Sequence, residues 1–429
     1  MSTRTIHVEQ LARVEGEGAL HISIEGGALR DVQLRIFEPP RFFEALLRGR
    51  HFTEAPDITA RICGICPVAY LLGAAQAMEA LCGVEIPEPI RALRRLIYCG
   101  EWIESHMLHV YMLHAPDFLG YPDAIQMAKD HPQAVQRGLR LKRIGNQLMT
   151  LLGGREIHPI NLCVGGFYRA PTRAELRALL PELQWGLEAA EETVRFCAAL
   201  PMREFHEDYE FACLSDPQEY AITRGRLVTT HGVNESIEAY DEVFQESHEP
   251  HSTALHSRIA GRRRAHLGPL ARYSMNHAQL TPRARQAAAD AGLGAVCRNP
   301  FQSILVRGVE TVLAFEEAIR LVEEYEPPPA PRVPVSPRAG TGRGATEAPR
   351  GICYHRYTID DAGIIQDAKI VSPTAVNQPT IEHDLRRYLE PNLDKTDDEL
   401  RAVCEQAIRN YDPCISCSTH FLRLTVVRS

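Results

Sequence analysis

Arg61-Ile62-Cys63-Gly64-Ile65-Cys66 is answered near the other end of the chain by Asp412-Pro413-Cys414-Ile415-Ser416-Cys417, with His420 close behind. Each stretch is a Cys-x-x-Cys pair, a spacing that brings two sulfurs round to one point. Gly64 leaves the first loop free to take the angles of a sharp turn. Two such pairs make four thiolates, enough to enclose one soft metal centre. The fold must therefore bring the two ends of the chain together.

Working outward from the first pair, the next helix begins at Pro67, directly after Cys66. That places a thiolate near a helix N-terminus, where the helix dipole favours an anion and lowers a thiol pKa. Residues 5–37 read as strands: His21-Ile22-Ser23-Ile24-Glu25 alternates, Gly26-Gly27 turns, and Val32-Gln33-Leu34-Arg35-Ile36 alternates back. Residues 41–50 and 67–82 read as helices. From 88 to about 200, apolar residues recur near every 3.6 positions, as in Leu93, Leu96, Ile97, Trp102, Ile103, Met107 and Leu108. Similar stripes cover 134–152 and 173–199, the pattern of a long-helix bundle. The segment 205–260 is mixed and carries no clear period. Helices resume at 264–293 and 309–325. The run Glu326-Pro327-Pro328-Pro329-Ala330-Pro331 reads as a stiff surface crossing. A hairpin at 354–371 and a helix at 396–410 then deliver Cys414. The expected fold is helix-rich α+β, a long-helix bundle core with N- and C-terminal β-hairpins flanking a buried metal site.

Composition narrows the function. At 429 residues the chain is long enough for a deep core, and a net charge of −8 argues against a nucleic-acid surface. No apolar run approaches ~18 residues, so no membrane span is expected. The N-terminus Met1-Ser2-Thr3-Arg4-Thr5-Ile6-His7 has no apolar h-region and no twin-arginine pair, so no export signal is read and a cytoplasmic location is expected. Twelve cysteines in such a chain point to reduced thiols and metal binding rather than disulfides. Cys82, Cys99, Cys163, Cys197, Cys213, Cys297, Cys353 and Cys404 stand alone among mostly apolar neighbours and read as small buried hydrophobes.

Read from spacing alone, the four thiolates fit a structural zinc site or a working metal. Zinc pairs usually lie close in sequence and staple modules that lack their own core, which this chain does not need. Polar company also gathers at the pairs: Arg61 before the first, Asp412 and His420 around the second. The loop Thr346-Glu347-Ala348-Pro349-Arg350-Gly351 could bring a cation and backbone amides against an anionic ligand.

These residues also carry a resemblance. Arg-x-Cys-Gly-x-Cys at 61–66 and Asp-Pro-Cys-x-x-Cys-x-x-His at 412–420 resemble the two signature motifs of the large, catalytic subunit of nickel–iron hydrogenases. Arg13-Val14-Glu15-Gly16, Glu347-Ala348-Pro349-Arg350-Gly351 and residues 153–159 are similar to further segments of that family, in the same order, so the resemblance spans essentially the whole chain. Pro40-Arg41-Phe42-Phe43-Glu44, Glu104-Ser105-His106 and residues 412–417 resemble most the cytoplasmic, multisubunit enzymes linked to NADP or NAD, including the sulfhydrogenases.

The resemblance implies a role for each matching position. Cys63 and Cys414 would be terminal thiolates on nickel. Cys66 and Cys417 would bridge nickel to an iron carrying one carbonyl and two cyanides. Arg350 would lie over the open position beside the cyanides, and Pro373 and Thr374 would contact a cyanide. Cys414 would take a proton from dihydrogen and Glu15 would relay it outward, its pKa raised by a neighbouring thiolate. Glu44 and His420 would hold a separate magnesium ion, and His158 would lie near the small-subunit interface. A dedicated peptidase would remove 421–429 after nickel insertion, leaving 1–420 as a single domain.

Two positions depart from the family pattern. Tyr70 stands where many relatives carry histidine, and Ser105 where membrane-bound relatives carry aspartate. The remaining cysteines lack iron–sulfur spacing and no Gly-x-Gly-x-x-Gly fingerprint is present. An iron–sulfur small subunit is therefore expected as a partner, with FAD and NAD(P) on further subunits. The rival readings are a hydrogen-sensing subunit, a zinc-stabilised non-catalytic protein, and a relative of the quinone-site subunit of respiratory complex I, against which the intact cysteine pairs speak.

Overall fold

The computed structural model describes residues 3–39, 42–261 and 263–420. The chain opens with an antiparallel sheet of β1 (Thr3–Val8), β2 (Gly18–Glu25) and β3 (Ala28–Ile36). Its alternation buries Leu20, Ile22, Val32 and Leu34 on one face, as the period-two pattern requires.

The first long helix, α1 (Pro67–Cys82), starts where the sequence places it and stops at Gly83, whose φ of 67° closes the helix in the left-handed region. Its N-terminal amides, which have no partner within the helix, are met from the next helix, α2 (Glu88–Leu108): Val68 N donates to Glu101 Oε2 at 2.6 Å and Ala69 N to Oε1 at 3.3 Å. After α2 the chain passes through a wide π-type turn at His109–His114 and reaches α3 (Pro132–Gly153) and α4 (Leu180–Ala198). α2 and α3 cross closely because Gly100 meets Gly145. A Cβ on Gly145 would come within 2.6 Å of the Gly100 carbonyl. With α5 (Ser303–Glu323) these helices form the bundle, its core filled by Leu96, Ile97, Trp102, Leu148, Val309 and Leu313.

Three parts of the chain differ from the sequence reading. The segment 205–260 resolves into small antiparallel pairings, including Ala212–Ser215 with Arg226–Thr229 and Phe244–Ser247 with His256–Ile259. The helical stretch expected at 264–293 is two short helices, Pro269–Met275 and Pro282–Asp290, because each restarts at its own proline. The expected hairpin at 354–371 is a three-stranded sheet of β4 (Gly340–Ala348), β5 (Gly351–Ile359) and β6 (Ile365–Val371). The loop expected at 346–351 is thus the end of β4, a two-residue turn of Pro349 and Arg350, and the start of β5. β4 hides in the sequence because its glycines suppress the strand signal. They are there for packing: a Cβ on Gly344 would lie 2.6 Å from the Gly73 carbonyl of α1.

The proline-rich crossing lies along the Gly166 turn, where Phe167 N donates to Pro331 O and Val333 N to Gly165 O. α6 (Pro373–Leu389) and α7 (Asp397–Arg409) then carry the chain back to the first sheet. All cysteines outside the two pairs are buried except the partly exposed Cys82, and every cysteine is a free thiol. Among the described residues no helix is long and apolar enough to cross a membrane.

Candidate metal centre

Three distant pieces of chain meet at one buried point. Cys63 follows a single helical turn, Ala60–Ile62, and Cys66 heads α1. Cys414 caps the one-turn helix Ile415–Ser418, and Cys417 lies within it. The N-terminal loop holds that turn in place: Ile415 N donates to Glu15 O at 2.9 Å, and Glu15 pairs with Cys414 as a short parallel bridge.

All four donor sulfurs lie within 4.8 Å of one another. Cys63 and Cys414 are 3.5 Å apart, Cys66 and Cys417 4.0 Å, and Cys414 and Cys417 2.8 Å. Cys63 Sγ accepts from the amides of Ile65 and Cys66, each at 3.3 Å. Hydrogen bonds from Cys414, Cys417 and Cys66 hold its thiol well below the usual range. Burial, followed by the neighbouring sulfurs, pushes the Cys414 thiol well up. Four sulfurs this close cannot all ionise without a cation among them, and an all-thiolate set suits soft or borderline metals, zinc and iron among them.

The polar surroundings come from three elements. Glu15 Oε2 accepts from the Cys414 thiol and from Ser416 N, each at 3.1 Å. Burial, then the nearby Cys63 charge, raises its pKa. Arg350, at the tip of the β4–β5 turn, is 2% exposed. Its Nη1 is buried without a hydrogen-bond partner, while Asp412 holds the rest of the guanidinium. Thr374, at the start of α6, accepts from Cys414 N at 3.0 Å, which leaves its hydroxyl hydrogen free to donate elsewhere. Pro373 opens the same helix beside the capping Ser372.

Glu44 and His420 also meet, with Nε2 to Oε2 at 2.9 Å, on the wall of a cavity of about 30 Å³ that Cys417 also lines. Such a space takes one ion or water. Glu44 Oε1 accepts from Ile370 N at 2.7 Å, so a fixed carboxylate and an imidazole converge there, a donor set that fits a small divalent cation. His158 lies elsewhere on the rim: its Nδ1 sits 2.6 Å from Ala60 O, and its own φ is 51°. Tyr70 and Ser105 are buried with hydroxyls that have no partner, and burial raises the Tyr70 pKa well above its usual value. Pro40, Arg41 and the 421–429 tail lie outside the described residues.

Several contributors were given no role from sequence. Ser416 Oγ donates to Glu38 Oε2 at 2.8 Å, extending the Glu15 contact outward. Glu101 and Glu104 share the buried face of α2, and burial raises the Glu104 carboxyl to about 7. Their signal was available: 97, 101, 104 and 108 form one helical stripe, so two carboxylates interrupt an apolar face. Arg272 binds Glu310 through two nitrogens at 2.7 and 2.8 Å, and its Nη2 also bonds the Pro349 carbonyl, which fixes the turn bearing Arg350.

The family model described as nickel-dependent hydrogenase matches residues 41–138 and 258–420. The chain is 35% identical to sulfhydrogenase 1 subunit alpha of Pyrococcus furiosus, over 98% of each chain. It is 27% identical to the NAD-reducing hydrogenase HoxS subunit beta of Cupriavidus necator, over 98% of this chain and 95% of that one. A crystal structure of an NAD+-reducing [NiFe]-hydrogenase in the H2-reduced state superposes with a TM-score of 0.88 at 26% identity, covering 98% of this chain and all of the other.

Proposed function

The chain belongs to the nickel-dependent hydrogenase family as a large, catalytic subunit, and from that premise we propose how its residues bring about the reversible splitting of dihydrogen into two protons and two electrons. Cys63 and Cys414 would hold nickel at terminal positions, and Cys66 and Cys417 would bridge it to iron. When bound, such a centre would supply the electrophilic metals that polarise dihydrogen.

The observation that carries the reading is the 3.1 Å contact between Cys414 Sγ and Glu15 Oε2. A proton taken by the Cys414 sulfur has an acceptor already in place. Burial, then the nearby Cys63 charge, raises the Glu15 pKa above its ordinary value, which favours its taking a proton from the sulfur. Beyond it, Ser416 Oγ and Glu38 continue toward solvent. Arg350, held by Asp412, keeps one buried nitrogen free to polarise the reacting molecule without competing for the metal. Pro373 and Thr374 would contact a cyanide, fixing the iron ligands. Glu44 and His420 would hold magnesium and tie the C-terminal arm down.

The electrons would leave through an iron–sulfur small subunit, and on through flavin-bearing partners to NAD(P), in keeping with the sulfhydrogenase and NAD-reducing relatives. A cytoplasmic setting is proposed on the same ground. A maturation peptidase would remove 421–429, so that the active chain ends at His420; intact mass of the active enzyme tests this directly. The reading as a whole is tested by an infrared spectrum of matured protein with metal analysis on the same sample. Bands of iron-bound carbonyl and cyanide with about one nickel per chain are expected. Stoichiometric zinc without those bands would return the four cysteines to structure.

A further inference from the structure

Outside the four thiolates, His251, His256 and Glu382 place one ligand atom each within 4.8 Å of one another. We propose that these three residues hold a divalent transition-metal ion of the zinc or cobalt type, at a site the hydrogen chemistry does not use. Two imidazoles and one carboxylate suit such a borderline cation and leave a coordination position for water.

The geometry is close to what binding needs. His251 Nε2 lies 2.8 Å from Glu382 Oε1, and the two histidine rings stand edge to face at 5.7 Å. Bonds of about 2.1 Å set tetrahedral donors roughly 3.4 Å apart, so the close pair must part slightly and the widest draw in. Glu382 is already oriented from outside, because its Oε1 accepts from Leu34 N of β3 at 2.9 Å.

His256 is the ready ligand. It has no exposed surface. Its Nε2 has no close hydrogen bond, with Gln378 the polar side chain beside the ring, and its Nδ1 has only long contacts, 3.5 Å to Arg258 Nη2 and 3.8 Å to Glu249 Oε1. Leaving a buried imidazole so poorly satisfied is costly, and a metal bond relieves that cost. An ion can enter: His251 and Glu382 side chains are each 16% exposed, on the wall of a surface cavity of about 410 Å³. Of the three arginines on that wall, Arg258 is offset by Glu249 at 3.7 Å and Arg386 by Asp31 at 3.9 Å, while Arg264 has no ion pair among the described residues.

The position gives the ion a purpose. The loop between His251 and His256 also receives the C-terminal arm: His420 N donates to Thr253 O at 3.1 Å, and Ala254 pairs with Thr419. A metal joining this loop to α6 clamps the seat on which the segment after Cys417 rests.

The test is a Co2+ titration of the nickel-loaded protein after EDTA washing, followed by visible absorption, calorimetry and thermal midpoint. Beyond any Co2+ taken up at Glu44 and His420, which all three proteins share, one further Co2+ per chain is expected in wild type, and its affinity should drop in both His251→Ala and Glu382→Gln by more than the ~10–100-fold that losing a ligand's outer partner costs. Glu382→Gln keeps an acceptor for Leu34 N, so its fold should survive. Cobalt binding or stabilisation equal in wild type and both variants, or no such further Co2+ in wild type, overturns the proposal. None of these readouts depends on hydrogen turnover.

Discussion

Arg350 Nε donates to the backbone carbonyl of Asp412 at 2.6 Å, and Arg350 Nη2 to the carboxylate of the same residue at 3.2 Å. The residue two places before Cys414 therefore sets the arginine's orientation, and Asp412 does so from a left-handed φ of 51°. A lysine has no planar fork and cannot satisfy carbonyl and carboxylate while presenting a third nitrogen. Arg350→Lys should lower dihydrogen oxidation by ~10²–10³, the usual loss for one preorganised donor, with nickel content at the wild-type level. Loss of nickel in step with activity would show that the arginine serves assembly alone.

The four cysteines were legible because Cys-x-x-Cys forces convergence whatever the fold around it. The bundle was legible because α2, α3 and α4 keep one apolar period over long runs. β4 was not, since the glycines that let α1 lie against it erase its strand character. Glu15 carries no signal of its own in a charged, glycine-rich loop. Only the family motif singled it out, and the fold then set it against Cys414. Asp412 stood inside the quoted motif, yet its grip on Arg350 depends on a turn formed 62 residues earlier in the chain.

Glu15→Gln separates proton transfer from assembly. Glutamine keeps the shape and can still accept from Ser416 N, but it cannot carry a proton. Turnover and hydrogen–deuterium exchange should both fall by ~10²–10⁴, while the carbonyl and cyanide bands stay in place. Unchanged exchange would mean that protons leave Cys414 by another route.

Arg272 offers a test of scaffold rather than chemistry. It is fully buried between Glu310 and Glu347 and bonds the carbonyls of Ala348 and Pro349. Arg272→Met fills most of the space but strands two buried carboxylates. A loss of about 3–5 kcal/mol is expected in denaturant unfolding, together with lower nickel retention as the Arg350 turn loosens. A loss below ~1 kcal/mol would mean that the glutamates simply protonate, as burial already favours for Glu347, whose pKa is raised to about 7.

The arm that delivers Cys414 is moored at Asp384, where the hydroxyls of Tyr209 and Tyr411 both donate to Oδ2 at 2.5 Å. Its other oxygen is buried without a partner. Burial raises the carboxyl from an ordinary 3.8 to about 7, against the smaller opposing effect of the two hydroxyls. The sign follows from proton binding: between these values the folded chain keeps a proton that the unfolded chain has lost. The associated stability is full below about pH 4, declines as pH rises towards 7, and is flat above that. Asp384→Asn keeps an acceptor for both tyrosines and removes the ionisation. Its thermal midpoint should therefore match wild type near pH 4 and exceed it at pH 8, by on the order of 2–4 kcal/mol in unfolding free energy. A variant less stable than wild type at pH 8 would show that the folded carboxyl is not raised and that the tyrosine hydroxyls, rather than burial, dominate its titration.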